Sequence, residues 1–208
     1  MRLEVTPAAA LAWGWLYFWD TGGLFSAALP ALAAHELGHA LVLRMCRCPI
    51  TCLHLDLTGF RLDYAGAPAR REECAALAAG PLAGILYALA AAWAGRQMGS
   101  LFLLLSAGIS LILTAFNLLP ALPLDGGRLL LCLTGRPCLA RWSTLFCGLA
   151  LGGLSLLAAA RGWGPVLAGP ALAILWSAWA GEKPPGRQGG KEKFPFRKKI
   201  LDRRRRFV

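Results

Sequence analysis

The sequence predicts an all-α polytopic membrane protein, with six transmembrane helices and a short cytoplasm-side β-hairpin between helices 2 and 3. Three observations predict it. Hydrophobic residues make up 57% of the 208 residues and charged residues only 16%, against about 25% charged in a soluble domain. Apolar runs recur at roughly the 17–25 residues that a bilayer helix needs. Between the second and third runs the pattern changes to an alternation of apolar and polar residues. A large soluble helical core is excluded, because too little polar surface is available to cover so many apolar helices.

The first span covers residues 5–19. It is short, and Trp13, Trp15 and Trp19 suit a membrane interface. Arg2 and the apolar run after it loosely fit a signal peptide. Asp20-Thr21-Gly22-Gly23 is a poor cleavage site, however, so this helix is expected to stay. The remaining spans are 24–45, 75–95, 100–119, 138–160 and 166–180. In the connection 47–71, Leu53, Leu55 and Leu57 alternate with His54, Asp56 and Thr58. That period of two predicts a hairpin over 52–64, turning near Gly59. Strands this short cannot cross a bilayer alone, so the hairpin belongs at the membrane surface or against the helices.

Residues 1–181 thus form the membrane core, and 182–208 read as a basic tail, expected to be disordered. The tail carries eleven Lys or Arg and three acidic residues, with Arg203–Arg206 near its end. A polybasic run beside a membrane helix meets anionic lipid more often than nucleic acid. Six spans put 20 basic residues on one side and only Arg96 and Arg161 on the other. Without the tail the split is nine to two. The positive-inside rule then places both termini in the cytoplasm, with a bacterial cytoplasmic membrane as the expected location.

Seven scattered cysteines argue against a disulfide framework. Cys46, Cys48 and Cys52 lie near His54, but their spacing matches no common zinc pattern, so they read as small, partly buried thiols.

The chemistry concentrates in the second span. His35, Glu36 and His39 form H-E-x-x-H. On a helix, residues i and i+4 share a face, so both imidazoles can reach one metal ion. Glu36 sits beside that face, placed to act as a base toward water. Ionisable residues inside a span are costly and mark function more often than packing. A catalytic zinc takes three protein ligands and leaves one position open. The metzincin completion would need Gly and His where this chain has Val42 and Met45. Glu72 or Glu73 are possible third ligands, but beside Arg70 and Arg71 they resemble a solvated charge cluster. The stronger candidate lies in Asn117-Leu118-Leu119-Pro120-Ala121-Leu122-Pro123-Leu124-Asp125-Gly126-Gly127, where a hydrophobic helix ends and two prolines break regular structure. Asp125 follows on expected irregular backbone, and the glycines are expected to supply tight turning. It is the only acidic residue between Glu73 and Glu182. Spans two and four both run toward the cytoplasm, so His35, His39 and Asp125 can meet at one depth.

HELGH in span two, paired with NLLPALPLDGG at the end of span four, resembles the site-2 protease family, the intramembrane zinc metalloproteases of peptidase family M50. AAGPLAG at 78–84 resembles a glycine-proline element of the same family. The resemblance covers about residues 1–181 and is nearest to the small six-span form that processes a membrane-associated sigma-factor precursor in sporulation. It implies one zinc ion held by His35, His39 and Asp125, Glu36 as the base, and Asn117 orienting substrate or stabilising an oxyanion. It implies a membrane-tethered protein substrate and membrane regulatory partners. The PDZ and CBS domains of many relatives are not expected within these residues. Gly80, Pro81 and Gly84 read as packing positions. Two alternatives belong to other classes. A zinc transporter would need ligands across the membrane, yet the only other histidine is His54 in the surface loop. A non-catalytic scaffold would have no use for an intact ligand set and base.

Overall fold

Thr6 and Pro7 decide where the first helix begins. In the computed structural model, which describes residues 2–56, 59–66, 68–162, 164 and 167–180, the Thr6 hydroxyl accepts from the Ala9 amide and Pro7 takes the first helical position. Both are favoured N-terminal choices, because each spares an amide without a helical partner. Helix α1 therefore runs Pro7–Phe18, two residues inside the expected start. Before it lies a strand that the hydropathy pattern hides, β1 (Arg2–Val5). It pairs in parallel with β2 (Ile50–Asp56), which pairs antiparallel with β3 (Gly59–Tyr64). The expected hairpin is thus two strands of a three-stranded sheet in the order β1-β2-β3. Leu53, Leu55 and their neighbours supply the alternation. Four residues were too few to reveal β1 against the long apolar run that follows.

Helix α2 covers Leu24–Met45, the bounds of the second span. Its start is held by Asp20, whose carboxylate accepts from the amides of Phe25 (3.0 Å) and Ser26 (2.8 Å). Those bonds, the Ser26 amide foremost, hold the Asp20 carboxyl below the usual carboxylate range. Helix α3 (Arg70–Met98) and α4 (Leu101–Asn117) follow, then a short helix α5 (Asp125–Thr134), then α6 (Pro137–Ala160) and α7 (Ala168–Ala180). Helix α5 was not expected. Its Asp-Gly-Gly start disfavours a helix by propensity alone, and tertiary packing overrides that preference. Asp125 accordingly opens a helix, rather than lying on irregular backbone. A carboxylate in a first helical turn is favoured by the helix dipole.

The chain is mostly helical. Helices α3 and α6 are long and apolar enough to cross a membrane, and α4 and α7 are shorter apolar helices. Their outer faces carry large exposed hydrophobics, among them Trp93, Phe146, Leu156 and Trp179. A water-soluble monomer does not expose apolar groups on this scale.

Helices α2, α3 and α4 pack closely because small residues stand where they meet. A Cβ on Gly38 of α2 would press on the Ala79 carbonyl and stand 2.6 Å from the Ala83 Cβ of α3. A Cβ on Gly84 of α3 would strike the Thr114 hydroxyl of α4. Hydroxyls add specific ties, since apolar burial cannot drive helices together in lipid. Ser110 donates to the Gly84 carbonyl at 2.8 Å. Ser106 donates to the Ala27 carbonyl at 2.7 Å and meets the Tyr87 hydroxyl at 2.6 Å, linking all three helices.

The turn between α4 and α5 is irregular backbone inside the bundle, and such backbone needs partners from the protein. The Leu122 amide donates to Thr144 Oγ1 of α6 at 2.9 Å, and Ser177 of α7 donates to the Leu122 carbonyl at 2.6 Å. Ala121 beside them is fully buried and packs with Cys147 and Ile174. Replacing Thr144 by Val keeps the shape and orphans the Leu122 amide, so Thr144→Val is expected to cost about 1–3 kcal/mol. Thermal unfolding in detergent micelles measures this. An unchanged transition would show that the turn does not depend on the bond.

Candidate metal centre

One turn of α2 carries the two imidazoles. The His35 and His39 rings lie 4.9 Å apart between centres and nearly perpendicular, with their Nε2 atoms 3.2 Å apart. From α5, Asp125 Oδ2 approaches His35 Nε2 at 3.0 Å and His39 Nε2 at 3.2 Å. His35 is buried, while His39 and Asp125 are partly so. Three donor atoms thus point at one another in an apolar bundle. Two imidazole nitrogens and a carboxylate oxygen suit a zinc ion, whose bonds of about 2.0–2.1 Å set tetrahedral ligand atoms roughly 3.3 Å apart. The donor set and its spacing therefore fit the metal. Such a centre needs no side-chain rearrangement beyond a few tenths of an ångström.

What surrounds these groups fixes their orientation. His39 Nδ1 lies 2.7 Å from the Ala76 carbonyl of α3, so this nitrogen carries the proton and Nε2 is left with its lone pair. Gly80, one turn further along α3, makes room for the ring, because a Cβ there would overlap His39 Nε2 and Cε1. The two glycines of the AAGPLAG stretch therefore differ in purpose, Gly80 seating His39 and Gly84 seating α4. Gly126 and Gly127 have a purpose different from the tight turning expected of them. Both lie in α5 without positive φ, and a Cβ on either would collide with backbone of Leu118, Leu119 or Ala121. They let the start of α5 lie directly on the preceding turn, which sets the depth of Asp125.

Helix α5 is held from α3 as well. The Arg70 guanidinium donates to the carbonyls of Cys132 (2.6 Å) and Leu133 at its C-terminal end. Cys74 and Cys132 are joined as a disulfide, with their Cα atoms 6.2 Å apart. This single bridge departs from the expectation that the cysteines stand apart. Their separation of 58 residues carries no sequence signal, since only folding brings α3 and α5 together.

Glu36 is half-buried on α2 beside the ligands, with Asp125 and Arg128 of α5 close enough to act on it electrostatically. Asn117 is the last residue of α4 and half-buried. Glu72 is engaged elsewhere, since its carboxylate accepts from the Ala69 amide at 2.7 Å and so caps α3. Sequence reasoning missed Ala76, Thr144 and Ser177 as parts of the site's support. Only the small-residue pattern could have hinted at any of them.

Residues 95–145 match the family model Peptidase family M50. No curated protein matches the chain significantly. Among solved structures, the fold is similar to that of the Site-2 Protease from Methanocaldococcus jannaschii. The TM-score is 0.61 at 22% identity, covering 86% of this chain and 89% of the other. The likeness to a site-2 protease is one of fold, and the segment matched by the M50 model, which runs from the end of α3 into α6, contains Asp125.

Two substitutions test the centre. Asp125→Ala is expected to abolish zinc binding at this centre, read by elemental analysis as the loss of one zinc ion per chain relative to wild type, while Glu72→Ala and Glu73→Ala keep the wild-type content. Gly80→Ala, which displaces His39 without removing a ligand, is expected to weaken zinc about 10–100-fold, the range for disturbing a ligand's support. A zinc content equal to that of wild type in Asp125→Ala would remove Asp125 from the ligand set.

Proposed function

We propose that this chain is an intramembrane zinc metalloendopeptidase, which hydrolyses a peptide bond in or near a membrane-spanning segment of another protein. The observation that carries the reading is the convergence of His35, His39 and Asp125, with Glu36 alongside, inside an apolar helix bundle.

His35, His39 and Asp125 would hold one zinc ion. That ion, when bound, polarises the scissile carbonyl and lowers the pKa of water to about 7. Glu36 accepts a proton from the attacking water, whose oxygen becomes bonded to the acyl carbon. It then delivers the proton to the amine nitrogen as the C–N bond breaks. Asn117, at the end of α4, steadies the carbonyl oxygen or the adjacent substrate backbone through its amide. A substrate helix must unwind first, since its own hydrogen bonds hide the scissile carbonyl. Strand β3 closes the sheet on the side away from β1 and offers the unwound segment an edge for strand addition.

The fuller reading has six spans with both termini in the cytoplasm of a bacterial cell. The pairing of β1 with β2 supports part of it, because it brings the chain start to the same end of the bundle as the hairpin. The basic tail, 182–208, lies outside the described residues, and its proposed partner is anionic lipid rather than nucleic acid. The proposed substrate is a membrane-tethered protein. A sigma-factor precursor in sporulation, as for stage IV sporulation protein FB, is the narrowest version and rests on the six-span plan alone. Membrane proteins that gate access are the proposed regulators.

Glu36→Gln keeps the side chain's size and removes the base. Co-expressed with a membrane-tethered substrate, it is expected to bind zinc normally and cleave about 10²–10⁴-fold more slowly, the usual contribution of a general base. Undiminished cleavage with zinc retained would sink the assignment.

A further inference from the structure

The sheet brings together a second set of ligand-bearing residues, away from His35, His39 and Asp125. Cys52 and His54 stand two apart on β2 and so share one face. Glu4 of β1 is the register partner of His54. Ligand atoms of Glu4, Cys52 and His54 all lie within 4.8 Å of one another. His54 Nδ1 faces Glu4 Oε2 at 3.3 Å, and His54 Nε2 faces Asp63 Oδ2 of β3 at 2.9 Å. Cys52 is buried, His54 is mostly covered and Glu4 is exposed.

We propose that Glu4, Cys52 and His54 form a second zinc site, which clamps the N-terminal strand to the sheet. A thiolate, an imidazole and a carboxylate form a mixed set that suits zinc, while magnesium and calcium require oxygen ligands. The two nitrogens of His54 face different groups, as a ligating histidine's do. Nδ1 is turned to Glu4, and Nε2 can donate its proton to the Asp63 carboxylate, which orients the ring. Zinc–sulfur and zinc–nitrogen bonds of about 2.3 Å and 2.0–2.1 Å put such ligand atoms roughly 3.5 Å apart. An adjustment of about an ångström in the Cys52 or Glu4 rotamer closes the set. Binding releases the Cys52 thiol proton to solvent, and water takes the fourth position on the exposed side. A parallel strand of four residues is short to hold its place by pairing alone, and a metal joining residue 4 to residues 52 and 54 would secure it.

The test uses the full chain in detergent micelles, loaded with zinc and dialysed. Wild type is expected to retain two zinc ions per chain, Cys52→Ser and His54→Ala one each, and His35→Ala one. One ion in wild type that is lost in His35→Ala but kept in Cys52→Ser would overturn the proposal. In that case His54 would simply bridge two carboxylates. If a variant fails to fold, cobalt loading of wild type decides. A thiolate-to-cobalt charge-transfer band is expected, and its absence overturns the site, because His35, His39 and Asp125 include no sulfur.

Discussion

A carboxylate buried among apolar helices is tolerable only with partners, and Asp125 is the group on which this bundle's construction turns. Its Oδ2 lies within 3.2 Å of two imidazole nitrogens. The Asp125 carboxylate alone at this depth would be costly, since an unpaired buried ion costs several kcal/mol. Together they form a set whose charge and lone pairs a divalent cation satisfies. The rest of the fold can be understood as what it takes to bring one residue of α5 to two residues of α2.

That meeting needs close approach from both sides. On one side α3 slides against α2 at Gly38 and leaves room for the His39 ring at Gly80. On the other, α5 lies on the turn before it through Gly126 and Gly127. A methyl group at any of these positions would push a ligand or its backbone outward. Metal centres tolerate such displacements poorly, because coordination distances vary by only about 0.2 Å. The glycines therefore serve the chemistry by absence of atoms, and they do so at no gain in local helix propensity.

The sequence made the clustered residues legible and left their supports hidden. H-E-x-x-H is local, so helical spacing alone places His35 and His39 on one face. Asp125 could be found because it is the only acidic residue across a long apolar stretch. The second helix was legible to the residue, since an apolar run bounded by Gly22-Gly23 and Cys46 is a strong periodic signal. Helix α5 and strand β1 were not. The first begins with two poor helix formers, and the second is four residues long. Each is stabilised by contacts distant in sequence, to which neither hydropathy nor propensity responds. The same reason hid Glu4 as a neighbour of His54, because the register of a parallel pair 50 residues apart is a property of the fold.

Helix α5 shows how far the support extends. Its start rests on the 118–124 turn, whose Leu122 amide and carbonyl are bonded by Thr144 of α6 and Ser177 of α7. Its end is gripped from α3 by Arg70 and by the Cys74–Cys132 bridge. Asp125 is thus positioned by residues from three other helices, while His35 and His39 share α2, with the His39 ring steadied by Ala76 and Gly80 of α3. This asymmetry has a physical consequence. His35 and His39 keep their relative geometry as long as α2 stays helical, whereas Asp125 can move as α5 moves against α2. Whatever shifts α6 and α7 relative to α3 therefore acts on the His35, His39 and Asp125 cluster through one carboxylate, and the bundle's helix contacts set the cluster's geometry.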